Sequence, residues 1–191
     1  MTLFHQYLFP ALWLAWAGYW WLLSSNVKAT IRREPVLSRL LHIVPLLLAM
    51  LLLWLPSSTI QSVLTIRIMD WAEWEFWVGA ALAAAGLLFT AWARIHLGRN
   101  WSGTVTVKHD HELITSGPYA LVRHPIYTGL LLAFMGSALA RGESRGVLAV
   151  LIVLLALWRK LKLEERWMRE QFGAQYEAYS SRVAALIPFV L

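Results

Sequence analysis

Five stretches of this chain, residues 3–23, 40–55, 76–93, 125–140 and 146–158, contain no Asp, Glu, Lys or Arg. A soluble domain of 191 residues cannot bury five such stretches, so the medium around them must itself be apolar. In hydrocarbon every backbone amide has to be satisfied within its own element, which for single segments dictates helices. The first and third stretches approach the ~20 residues that cross a bilayer, and the shorter three must tilt, snorkel their flanks or pair as a hairpin. Residues 3–23 are long, rich in Trp and lack a basic start, so they are expected to form a span and not a secretory signal. The expected fold is an all-α integral membrane protein of about five transmembrane helices. It is expected to be one domain over residues 1–191, with spans filling 1–93 and the polar, chemically equipped part in 94–191.

The charges between the stretches give an orientation. Lys28, Arg32, Arg33 and Arg39 lie between spans one and two, Arg94, Arg99, Lys108 and Arg123 between three and four, and Arg159, Lys160, Lys162 and Arg166 after span five. With five spans all three clusters share one side, which is therefore expected to be cytoplasmic, with the N-terminus opposite. The net charge of +6 belongs to these loops, where it meets anionic lipid, and nucleic-acid binding is not expected. The absence of Cys excludes disulfides, thiolate nucleophiles and Cys-ligated metals. Trp13, Trp16, Trp20, Trp21, Trp71, Trp74 and Trp77 mostly sit toward span ends and read as interfacial anchors. Gly129, Ala133 and Ser137 in span four, and Gly79 and Ala83 in span three, recur every fourth position. Such stripes permit close helix approach.

The connection 94–124 carries His96, Trp101, His109, Asp110, His111, Glu112, Arg123 and His124, and a cytoplasmic loop so rich in titratable groups is a candidate active site. The H-D-H run lacks the paired or helical spacing of a zinc site, so no metal is expected. Pro125 suits the first turn of a helix, which brings His124 and Tyr127 together at its mouth. From spacing alone, His124 either caps that helix or serves a ligand, and Arg123 either snorkels or does chemistry. Glu164 and Glu165 follow span five in a field of bases. The spacings Lys160 to Glu164, Glu165 to Arg169 and Arg166 to Glu170 suit surface ion pairs. The segment 159–182 mixes charge with Trp167, Phe172 and Tyr176, as an interfacial helix interrupted at Gly173 would.

The stretch G-P-Y-A-L-V-R-H-P-I-Y-T-G at 117–129, followed by E-E-R-W-M-R-E-Q-F-G-A-Q-Y-E-A-Y-S-S-R-V-A-A-L-I-P at 164–188, resembles the isoprenylcysteine carboxyl methyltransferases. These belong to a wider superfamily with phospholipid methyltransferases. The resemblance covers about half the chain, residues 94–188. It implies S-adenosyl-L-methionine as cofactor, held at the cytoplasmic loop by His111, Glu112, Leu113, Ile114, Tyr119, His124, Pro125, Ile126 and Tyr127 and closed by Glu164. It implies a catalytic cation that places an acceptor carboxylate, among Arg123, Arg159 and Lys160. The family's arginine after the last span falls best on Lys160 here, a point charge where a bidentate fork is usual.

The acceptor implied is a lipophilic or lipid-linked molecule reaching the site through membrane lipid, with carboxyl methylation of an isoprenylcysteine type as the named activity. Phospholipid N-methylation is the alternative. An NADPH-dependent reductase of sterol-reductase type and a non-catalytic lipid-binding protein stand further off. The short five-span form resembles prokaryotic members, which implies an inner membrane with the site facing the cytoplasm.

Overall fold

The computed structural model describes residues 3–24, 30–56, 63–68, 73–102, 106–108 and 112–189. In chain order the elements are α1 (Leu3–Leu22), β1 (Thr30–Arg33), α2 (Val36–Trp54), α3 (Glu73–Leu97), β2 (Thr106–Lys108), α4 (Pro118–Leu121), α5 (Pro125–Arg141), α6 (Ser144–Phe172) and α7 (Ala174–Ser180). Single 3-10 turns lie at Val63–Thr65 and Gly98–Asn100. Each of the five apolar stretches forms a long helix. By length and composition Val36–Trp54 and Glu73–Asn100 are sufficient to cross a membrane. The outward face of α2 carries Leu37, Leu40, Leu41, Val44, Leu47 and Leu51, and that of α6 Leu151 and Leu155. Apolar faces of this extent are covered by lipid in an integral membrane protein.

The all-α class stands, with one addition and one change. β1 and β2 pair antiparallel, Thr30 opposite Lys108 and Arg33 opposite Thr106, with an irregularity between Thr30 and Arg32. Extended backbone on one side of a bundle must find partners for its amides, and these two β-branched segments find each other. The C-terminal charged segment is also not a separate interfacial helix. Nothing between Trp158 and Arg159 breaks the helix, so α6 continues to Phe172. It stops where Gly173 takes φ +49°, and α7 follows.

The small-residue stripes bring α3 and α5 into backbone contact. A β-carbon added at Gly79 would lie 2.5 Å from the Gly136 carbonyl oxygen, and one at Gly86 would lie 2.4 Å from that of Gly129. Ala83 and Ala133 are fully buried between them. Helices in lipid gain nothing from hiding apolar surface from each other, so this close fit is what holds the pair. At the end of the bundle away from the basic loops, the α5–α6 turn is locked by a buried cluster. Arg145 is completely buried, donating to Glu143 at 2.7 Å and to the Leu55 carbonyl at 2.7 Å, and Arg141 donates to the same carbonyl at 2.9 Å.

α1 packs inward through its indoles. Trp13 is buried, donates to the Ser137 hydroxyl at 3.1 Å and meets Phe134 edge-on, and Trp16 donates to Thr90 at 2.6 Å. The anchor reading is therefore corrected for Trp13 and Trp16. An indole N–H inside a bundle needs an acceptor, and α3 and α5 supply them. Trp21, Trp74 and Trp77 are exposed, as anchors are; Trp71 lies outside the described residues.

Candidate active site

A cavity of about 330 Å³ opens where the ends of α1, α3 and α6 meet α4, α5 and α7. That is within the usual range of small-molecule sites, roughly 300–1,000 Å³. Its wall includes Leu113, Ile114, Tyr119, Arg123, His124, Ile126, Tyr127, Lys160 and Glu164, so nine of the sequence-derived site residues converge on it from segments 113–127 and 160–164. Leu46, Leu130 and Leu157 form an apolar end.

Glu164 is the junction of the polar wall. Its carboxylate accepts the Tyr127 hydroxyl at 2.6 Å, lies 3.5 Å from His124 Nδ1 and 4.0 Å from Lys160 Nζ. The His124 ring stacks on Tyr127 at 5.3 Å, nearly parallel, and its Nε2 is 3.4 Å from Glu165. His124 occupies the N-cap position of α5 but makes no side-chain cap bond. The imidazole thus lies between the two glutamates and does not cap the helix. Burial disfavours charge on His124, but Glu164 and Glu165 outweigh it and raise its pKa above that of an ordinary histidine. Burial likewise pushes Glu164 up, but His124, Lys160 and Tyr127 prevail and lower it. Tyr119 is raised, first by burial and then by the field of Glu164.

Glu165 is not the surface residue its spacing predicts. It is 2% exposed and receives Arg123 Nε at 2.9 Å, Arg123 Nη2 at 2.5 Å and Arg169 at 3.2 Å. Arg123 Nη1 donates to the carbonyls of Ser180, at 3.0 Å, and Val183. The backbone amides of Arg123 and His124 donate to Ala184 and Ala185 at 2.8 and 3.0 Å, and Thr128 donates to Leu186 at 2.7 Å. Glu165 and Arg123 thus clasp the C-terminal segment against the mouth of α5.

Arg123 lines the cavity with its guanidinium already engaged within the protein. Arg159 donates to the Ser38 carbonyl and hydroxyl, both at 3.1 Å, tying α6 to the start of α2 away from the cavity wall. Lys160, 9% exposed, shares the cavity wall with Arg123 and lies 4.0 Å from the Glu164 carboxylate and 5.4 Å from the centre of the Tyr127 ring. Glu112 is exposed and Pro125 is buried at the first turn of α5, neither in the cavity wall. His111, with His109 and Asp110, lies outside the described residues.

Burial raises Glu165, but its contacts with His124 and Arg123 win and hold its pKa at about 2, below the ordinary 4.5. With the folded value below the unfolded one, this stabilisation is complete above about pH 4.5 and is lost as the pH falls toward 2. Glu165→Gln is expected to destabilise the protein by about 3–5 kcal/mol near neutrality, the usual result of halving a buried pair. The gap to wild type should narrow in acid. Melting curves across the acid range test this, and parallel pH dependences in the two proteins would refute it.

Sequence reasoning missed Trp16, Trp20, Asn100, Tyr176 and Tyr179, all in the cavity wall, and placed Trp101 only in the candidate loop at large. Tyr176 and Tyr179 were signalled by their three-residue spacing inside the second motif. Trp16 and Trp20 carried no signal that separates a cavity wall from a lipid face.

The profile of the phospholipid methyltransferase family matches residues 74–175. A probable protein-S-isoprenylcysteine O-methyltransferase of Oryza sativa subsp. indica is 30% identical over 123 residues, covering 61% of this chain and 64% of its own. Protein-S-isoprenylcysteine O-methyltransferase B of Arabidopsis thaliana is 28% identical over 142 residues, covering 70% and 71%. The chain thus spans a little under two thirds of the rice relative. Among solved structures, the eukaryotic intramembrane Ras methyltransferase, an isoprenylcysteine carboxyl methyltransferase, superposes with a TM-score of 0.60 at 22% identity, over 77% of this chain and 52% of that one. That likeness is one of fold. The profile match begins within α3 and ends within α7, so it takes in the first motif, the second as far as residue 175 and the α3–α5 pair that seats them: the protein belongs to the phospholipid methyltransferase family.

Proposed function

We propose that the chain is an S-adenosylmethionine-dependent methyltransferase acting at the cytoplasmic face of a membrane, in a prokaryote the inner membrane. It forms one domain of five spans, and its acceptor is a lipophilic molecule presenting a carboxylate, of the isoprenylcysteine type. The cavity suits the cofactor chemically: a half-buried carboxylate, Glu164, shares it with seven Trp and Tyr rings, surroundings that favour sulfonium and ammonium groups. When bound, the cofactor supplies an electrophilic methyl group. His124, Tyr127 and Glu164 hold its polar parts, with the backbone of Leu113 and Ile114 alongside. Lys160 orients the acceptor's carboxylate, and Leu46, Leu130 and Leu157 receive the start of its apolar chain and exclude water.

One observation favours a carboxylate over an amine. Methylating an ammonium requires a base near neutral pH, yet His124 is biased toward its charged form and Glu164 toward its weakly basic anion. An α-carboxyl titrates near about 3.5 and arrives already ionised. Purified protein with methyl-labelled cofactor and either a farnesylated cysteine analogue or phosphatidylethanolamine tests this. The expected product is base-labile label on the carboxyl compound, with a rate nearly flat between about pH 6 and 8. Base-stable label in the lipid amine, with a rate climbing in alkali, would overturn the carboxylate reading.

A further inference from the structure

Asn100 has no part in the chemistry above. It closes the 3-10 turn after α3, is only 9% exposed and faces the cavity, and its Oδ1 has no hydrogen-bond partner among the described residues. A buried amide is unfavourable until something pairs with it. The neighbouring groups hold this corner rigid. Arg94, 3% exposed, donates to the Gly98 carbonyl at 2.8 Å and the Leu23 carbonyl at 2.6 Å, and its guanidinium lies 4.4 Å from the Trp101 ring centre. Trp20 meets Trp101 edge-on at 5.6 Å. The corner therefore offers a neutral carboxamide beside fixed indoles, whereas Glu164, His124 and Lys160 occupy the charged part of the same cavity.

Building on the cofactor reading, we propose that this corner is a nucleobase subsite selective for a 6-aminopurine. The Asn100 carboxamide accepts a hydrogen from the exocyclic amino group and donates one to N7, an edge on which a 6-oxo purine presents two acceptors, with the base lying against Trp20 and Trp101. A carboxamide has both a donor and an acceptor end, its assignment following the network it enters. That is the complement of an adenine edge, and aromatic side chains stack on any base. The charged wall is then left to the amino-acid part of the cofactor.

Calorimetric titration of the full chain in detergent, with S-adenosylhomocysteine and with S-inosylhomocysteine, which has a 6-oxo group for the 6-amino group, tests the assignment. Wild type should prefer the adenosyl compound by about tenfold or more, the discrimination usual for a bidentate amide–purine pair. Asn100→Leu should bind both compounds weakly and about equally, and Asn100→Ala serves in its place if the leucine variant does not melt cooperatively. Equal binding of both compounds by wild type, or an undiminished preference in a folded variant, overturns the subsite while leaving the cofactor reading standing. Failure of folded wild type to bind either compound overturns both.

Discussion

Glu164→Ala should weaken S-adenosylhomocysteine binding by about 2–5 kcal/mol, enough to remove it from calorimetric range. The magnitude is that of truncating one member of a largely desolvated, hydrogen-bonded charge set. Tyr127, His124 and Lys160 all converge on this carboxylate, so the substitution leaves two cations facing each other and a hydroxyl without its acceptor. It also removes the negative charge proposed to face the cofactor's ammonium. Glu164→Gln keeps an acceptor for Tyr127 and should fall between alanine and wild type. Glu177→Ala, on an exposed face of α7, should bind as wild type does. Unchanged affinity in a folded Glu164→Ala protein would remove Glu164 from the cofactor site.

Gly129→Leu should destabilise the protein by about 3 kcal/mol or more, beyond the usual range for overpacking a core, because the obstruction is backbone. A β-carbon there lies 2.6 Å from the Gly86 carbonyl oxygen and 2.6 Å from Thr90 Cγ2. Neither helix can yield without moving the other, and α5 carries His124 and Tyr127 at its mouth. Binding should therefore fail together with folding, which separates this variant from Glu164→Ala. Gly18→Ala is the matching control. Its added carbon meets nothing within 4 Å, and replacing a helical glycine by alanine should be neutral or favourable by up to about 1 kcal/mol. Thermal melts followed by tryptophan fluorescence measure both. A Gly129→Leu protein melting with wild type would mean that the α3–α5 contact does not govern stability.

The two predictions differ in how far the sequence foresaw them. The stripes of Gly79, Ala83, Gly129 and Ala133 announced close helix approach directly, since spacing by four lays residues on one face whatever surrounds them. The motif 117–129 brought His124 and Tyr127 together for the same local reason. Glu164 took its place only through resemblance, because its spacing from Lys160 fits a surface pair equally well. Glu165 was misread on that ground. Both glutamates stand among bases in sequence, and burial, which gives those charges their force, is a property of what α5 and the C-terminal segment cover.

The sequence by itself determined five apolar helices, the small-residue faces and the two motifs that line the cavity. All of these follow from period, length and charge within short windows of chain. Tertiary structure alone decided that Trp13 reaches Ser137, 124 positions away, and that Trp16 and Trp20 wall a cavity. It also engaged Arg123 in a clasp and brought Lys160 to within 4.0 Å of Glu164 in the cavity wall. An amphipathic or indole-rich face records that something will cover it; which neighbour does so depends on how helices distant in sequence fit together, and local spacing contains no term for that.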